Sequence, residues 1–316
     1  MGLLRSYLRK KAYSVKESPV KSSTQFYLNK VESVISIENL EEAEEDMNKY
    51  YLNSKWAYSL FHTHDNFHHF ALCNGKVVKR EDYETQPKLI SEYIEKIKAK
   101  NVLELSSGQG ANSYYLANKF PDTHFKAIDL IQTPEEKVLK LKNFQFQNGD
   151  YHDLSKYREN SLDLVFIIEA LCHSSTPKIV IDQVYSVLKP GGYFIIFDGY
   201  RRREISELNN LDKKILTLSE HAMALNEMFN IVKFNTLLKS SNFEVSKSTD
   251  YSDKVIPNLI KLEYLARMYY KFPKIAKLVN RFISKEVVQN SITGLFLRTL
   301  VEKEITGYYG HILRKF

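Results

Sequence analysis

The chain has 316 residues, is 43% hydrophobic and 26% charged, and carries a formal net charge of +7. That balance fills a globular core, excludes a disordered chain, and suits one large domain or two small ones. Two cysteines, Cys73 and Cys172, exclude a disulfide scaffold and favour a reducing compartment, and no apolar run reaches the roughly 18 residues that a membrane-spanning helix needs.

The N-terminal "MGLLRSYLRKKAY" lacks the long apolar core of a signal peptide, so a cytoplasmic protein is expected. "MGLLRS" fits the M-G-x-x-x-S pattern of N-myristoylation, which matters only in a eukaryotic cell. Residues 1–30 hold seven basic residues and one acid, and residues 250–316 hold twelve and six, so the middle of the chain is acidic. Basic ends suit peripheral contact with an anionic membrane surface, or simply a solvated helix face. No zinc-finger spacing or RNA-binding aromatic motif is present, and no nucleic-acid partner is expected.

Residues 1–86 read as a polar, aromatic-rich helical cap. Within it, "HTHDNFHH" (62–69) gathers His62, His64, His68 and His69 around Asp65. A metal centre needs three or four converging ligands. The segment has no H-E-x-x-H pattern, and no metal is expected.

From residue 87 the pattern changes to short apolar runs alternating with helical stretches. "KNVLELSS" (100–107) is a buried strand entering a glycine turn, and "ANSYYLANKF" (111–120) is a helix. "HFKAIDL" (124–130), "FQFQNGD" (144–150) and the nearly all-apolar "SLDLVFIIEAL" (161–171) supply three more strands, with a short helix over 134–142. Thr176 and Pro177 open a helix as N-cap and first-turn residue. That helix is expected to stop at Pro190-Gly191-Gly192, leaving "YFIIFDGY" (193–200) as the fifth strand. Strands separated by helices demand parallel pairing with right-handed crossovers. The expected fold is therefore α/β, a doubly wound Rossmann-like sheet. A sixth strand over 243–252 and a closing strand over 306–315 bring it to seven, mostly parallel. The domain spans 87–316, with lid helices at about 201–240 and 253–304.

"NVLELSSGQGANS" is the most informative stretch. Gly108 and Gly110 follow a strand and precede a helix, which lets a nucleotide-like ligand approach the backbone. Asp129 ends the second strand, where a carboxylate accepts bonds from ribose hydroxyls. Asp150 ends the third, within reach of an adenine amine. Singly, these residues also fit a tight turn and two helix caps. A dinucleotide fingerprint would place a third glycine where Ser113 stands.

Glu104, "SSGQG", Asp129, "NGDYHDL" and "LKPGGYFIIFD" together resemble the class I S-adenosylmethionine-dependent methyltransferases. Ser106 occupies the place of the family's first loop glycine. The resemblance implies that Glu104, Ser106, Gly108, Gly110, Asp129, Leu130, Asp150, Tyr151 and Glu169 hold S-adenosylmethionine. "YYLNSKWAYSLFHTHDNFHHFAL" (50–72) is similar to the segment before the core in sterol and tocopherol C-methyltransferases, with Phe70 in place of a glycine. There a Tyr-rich helix folds over the cofactor, which adds Tyr51. "IIEALCHSS" (167–175) resembles a sterol methyltransferase motif and makes Glu169 and His173 the candidate catalytic pair. A carboxylate stabilises a developing cation, and an imidazole takes a proton near neutral pH. The resemblance implies methyl transfer to a small lipophilic acceptor, with carbon favoured over oxygen or nitrogen. A nicotinamide-dependent oxidoreductase and a non-catalytic cofactor-binding scaffold are the alternatives.

Overall fold

The computed structural model describes residues 24–35, 66–281 and 285–316. Tyr51, His62, His64 and Asp65 lie outside them. A helix α1 (Thr24–Val34) and a helix α2 (Thr85–Ile97) precede β1 (Asn101–Leu105), α3 (Ala111–Lys119), β2 (His124–Asp129), the single-turn α4 (Glu136–Leu139), β3 (Phe144–Asn148) and β4 (Leu162–Ile168). Then follow α5 (Pro177–Val187), β5 (Leu188–Arg201), α6 (Asn210–Ala222), α7 (Ile231–Ser240), β6 (Glu244–Asp250), α8 (Ser252–Tyr270), α9 (Pro273–Val279), α10 (Lys285–Glu302) and β7 (Thr306–Arg314).

The seven strands form one sheet in the order β3-β2-β1-β4-β5-β7-β6. β1 to β5 are parallel, and β7 runs antiparallel to both β5 and β6. The strand inserted between β5 and β6 departs from the all-parallel 3-2-1-4-5-6 order of dinucleotide-binding sheets. Central strands are apolar on both faces because helices cover both. In β4, Leu164 and Phe166 face one core, while Leu162, Val165 and Ile167 face the other. The edge strand β6, "EVSKSTD", is polar and mostly exposed, which discourages edge-to-edge pairing.

Three local readings need correction. The α5 helix ends at Val187 rather than at Pro190, and β5 begins at Leu188. Leu188 pairs with Leu162 and Tyr193 with Leu164, so Lys189 to Gly192 bulge out within the strand. A Cβ on Gly192 would meet the backbone oxygens of Asp163 and Lys189 at 2.9 Å, so only glycine fits. Thr176 occupies the N-cap of α5 but its side chain caps nothing. Ser174 Oγ instead accepts from the Thr176 N–H at 3.1 Å. Third, the segment 201–240 divides. α6 packs with α8 and α10 on one face, whereas Ile231, Phe234 and Leu238 of α7 pack on the other face against Phe194 and Tyr200.

Candidate active site

The carboxyl ends of β1, β2, β3, β4 and β5 open into a cavity of about 650 Å³. Its floor holds Ser106, Gly108, Asp129, Asp150, Glu169 and Asp198. Its roof is apolar: Leu259, Leu262 and Ala266 of α8, Leu297 and Val301 of α10, and Met228 before α7.

The loop after β1 has a left-handed backbone at Ser106 (φ +55°), Gly108 (φ +54°) and Gly110 (φ +80°). Ser106 thus adopts a conformation that favours glycine, at a cost on the order of 1 kcal/mol. The substitution leaves the glycine-type path intact. Gly110 serves packing: an added Cβ would stand 3.0 Å from Pro134 Cβ and 3.1 Å from Val138 Cγ1. With φ positive as well, Gly110→Ala is expected to lower stability by about 1–3 kcal/mol, read from the denaturant midpoint. Gly108 faces the cavity with clearance, its nearest neighbour for a Cβ being His68 Nδ1 at 3.5 Å.

Asp129 ties two loops together. Its Oδ2 accepts from the Gly108 N–H at 2.8 Å, and its Oδ1 accepts from the N–H groups of Ile131 and Gln132 at 2.9 and 2.6 Å. Both a structural cap and a ligand acceptor are therefore compatible with one carboxylate, which offers about four lone pairs. Leu130, 53% exposed, presents an apolar face on the cavity wall. Asp150 Oδ1 accepts from the His152 N–H at 2.8 Å and bonds its Nδ1 at 2.7 Å, while His152 Nε2 reaches Ser174 Oγ at 2.8 Å. The Tyr151 hydroxyl donates to the Ala170 carbonyl at 3.2 Å, and burial pushes its pKa up.

Two expected cofactor contacts, Glu104 and Gly110, do not line the cavity. Glu104 is buried behind the loop, where it accepts from Asn112 Nδ2 at 3.2 Å and from the Ser113 hydroxyl. Burial pushes its carboxyl up to about 7, against the pull of Ser113 and Asn112. Asn112 Oδ1 in turn bonds His69 Nε2 at 3.1 Å. Glu104 therefore positions the loop and the "HH" turn, and Ser113 is its anchor. Burial lowers the pKa of His69.

Glu169 and His173 both line the cavity. Glu169 sits at φ +50°, a turn that aims its carboxyl at the N-terminal segment. There Oε1 accepts from the Phe70 N–H at 2.7 Å, and Tyr308 is a second partner. Burial pushes its carboxyl up to about 8; the Phe70 and Tyr308 bonds oppose this, and the Asp198 charge adds to it. Asp198 is buried below, accepts from the Cys172 N–H at 2.9 Å, and is itself pushed up to about 6 by burial. Burial drives His173 down to about 4, so the imidazole is neutral at physiological pH.

Unfolded, Glu169 ionises near 4.5; folded, near 8. The stabilisation from its retained proton is complete below about 4.5 and is lost as the pH rises through about 8. Glu169→Gln removes the titration, so the stability of wild type relative to the variant should fall by on the order of 4 kcal/mol from about pH 5 to 9. Thermal melts across that range read it.

Tyr308, His152 and Asp198 also line the cavity and were not among the expected site residues. Asp198 lay within a quoted motif, at the end of a strand. Tyr308 comes from the distant β7. Among the described residues, no group of three His, Cys, Asp or Glu side chains could hold a metal.

Residues 103–196 match a family model described as a methyltransferase domain. That stretch runs from β1 into β5, under a third of the chain. The sterol 24-C-methyltransferase ERG6 of Saccharomyces cerevisiae is 33% identical over 108 residues, 34% of this chain and 28% of that one. The sterol 24-C-methyltransferase ERG6A of Gibberella zeae is 27% identical over 160 residues, 48% and 42% of the two chains. The match spans under half the length of these relatives. Among solved structures, the geranyl diphosphate C-methyltransferase of Streptomyces coelicolor superposes with a TM-score of 0.58 at 9% identity, covering 86% of this chain and 97% of that one. The [4+2]-cyclase SpnF superposes at 0.59 with 16% identity, covering 78% and 87%. At such identities the methyltransferase-domain superpositions describe the fold.

Proposed function

We propose that this protein moves a methyl group from S-adenosylmethionine to a small lipophilic acceptor. The observation that carries the reading is the composition of the cavity: polar acceptors at the strand ends and an apolar roof from α8 and α10. The floor fits the donor. Gly108 leaves room for a ligand beside the backbone, and Gln132 Oε1 is buried on the wall with no hydrogen-bond partner. Asp129 retains capacity for a ribose hydroxyl, Leu130 offers a face for a purine, and Asp150 an acceptor for its amine.

S-adenosylmethionine, when bound, supplies a methyl group already activated by its sulfonium. The protein then has to align, exclude water and manage charge. Orientation in a closed site is worth roughly 7–11 kcal/mol in favourable cases. The apolar roof keeps water from the acceptor. Glu169, with Tyr308 and Asp198 beside it, holds or releases a proton near neutral pH, in contact with the segment carrying Phe70. An acceptor carbon that must lose a proton after methylation would find its base there. The sterol methyltransferase relatives support carbon as the methylated atom.

The test is incubation with methyl-labelled donor and a fractionated lipid extract. Label is expected in an apolar product. Leu262→Trp fills the roof, and should cut incorporation at least ~10-fold while leaving S-adenosylhomocysteine affinity within about twofold. Label confined to water-soluble products, or unchanged incorporation by the variant, would contradict the acceptor assignment.

A further inference from the structure

The geometry points to an anchor for an anionic lipid bilayer at the corner between α8 and α9, beside the cavity. From Arg267 to Arg281 the chain has no acid and carries Arg267, Lys271, Lys274, Lys277 and Arg281. Arg267 is paired with Glu263. No ion pair among the described residues engages the other four. Between these bases, Phe272 (56%), Ile275 (58%) and Leu278 (54%) stand in water, with Met268 and Val279 partly so.

α1 extends the patch. Its Lys30 Nζ donates to the Lys271 carbonyl at 3.2 Å and lies 4.8 Å from the ring of exposed Phe26. Soluble monomers rarely leave such contiguous apolar surface open. An apolar patch ringed by ammonium groups is what an interfacial segment presents: the apolar side chains enter the headgroup boundary and the charges stay among phosphates. A nucleic acid would leave the apolar side chains in water. A second copy would bring two basic rims together. The patch is continuous with the cavity, because Val279 and Tyr269 line both the corner and the cavity wall. A lipophilic acceptor dissolved in the bilayer therefore has an apolar route inward; this last step rests on the acceptor reading above.

The experiment sediments the full chain with vesicles of phosphatidylcholine alone, and with about a third phosphatidylserine. Binding is expected only to the anionic vesicles. Lys274→Glu/Lys277→Glu and, separately, Ile275→Asp/Leu278→Asp should each weaken it at least ~10-fold. S-adenosylhomocysteine affinity in solution should be unchanged in both, which keeps failure of the anchor distinct from failure of the donor site. Thermal melts verify folding, and the single variants Lys277→Gln and Ile275→Ser replace any double variant that melts early. The anchor is overturned if wild type ignores anionic vesicles, or if variants bind as wild type does. It is overturned equally if only the lysine variants lose binding, or if Ile275→Asp/Leu278→Asp instead abolishes a concentration-dependent dimer in sedimentation velocity.

Discussion

Asp129→Ala is expected to weaken S-adenosylhomocysteine binding at least ~100-fold, the largest effect of any single change in the floor of the cavity. Two losses combine. The ligand loses a charged acceptor worth about 1.5–3 kcal/mol. The loops that shape the floor also lose their tie, because the N–H groups of Gly108, Ile131 and Gln132 all donate to this carboxylate. Three unpaired donors should also lower the stability of the free protein by about 2–4 kcal/mol. The clean readout is the ligand-induced rise in Tm, compared within each variant. Asp129→Asn keeps the shape and one acceptor oxygen, so it should fall between wild type and alanine. A full ligand-induced rise in Asp129→Ala would remove the ribose from this position.

Arg201→Ala is expected to cost about 3–5 kcal/mol of stability, because it strands a buried carboxylate. Arg201 ends β5 and clasps Glu220 of α6 through Nε at 2.6 Å and Nη2 at 2.5 Å. The Glu220 side chain is 1% exposed. Glu220 Oε1 also accepts from the Met228 N–H at 3.1 Å, and the Arg201 N–H donates to the Phe229 carbonyl at 2.9 Å. The pair therefore fixes the segment that carries Met223, Leu225 and Met228 over the cavity. Denaturant titration should show the loss, and Arg201→Met with Glu220→Leu should recover most of it by replacing the pair with apolar contacts. A loss below about 1 kcal/mol in the single variant would mean that water replaces the guanidinium and that the segment is held by packing alone.

Much of the floor was legible because it is local. A strand end, a glycine turn and a carboxylate one strand later form a contiguous signal, and Ser106, Gly108, Asp129, Leu130, Asp150, Tyr151, Glu169 and His173 all come to the cavity. Glu104 was legible as part of that turn, yet its side chain points behind it to Ser113 and Asn112. Strand alternation decides that direction: Glu104 falls between Leu103 and Leu105, which face the opposite core. The roof was visible only as helical spacing, which packing on a sheet produces equally. Tyr308 reaches Glu169 from β7 because the antiparallel pairing sets Gly199 opposite Tyr308, and no neighbouring residue announces that register. The Pro190-Gly191-Gly192 reading failed by a few residues because the strand admits a bulge where a turn was expected.

Whether the sheet's open end holds an adenosyl sulfonium decides the chemistry of the cavity. Isothermal titration of the folded wild-type chain with S-adenosylhomocysteine, with NADH as the comparison ligand, tests that most directly. One site per chain for S-adenosylhomocysteine and no heat from NADH is the predicted result; saturable NADH binding with a silent S-adenosylhomocysteine titration would contradict it.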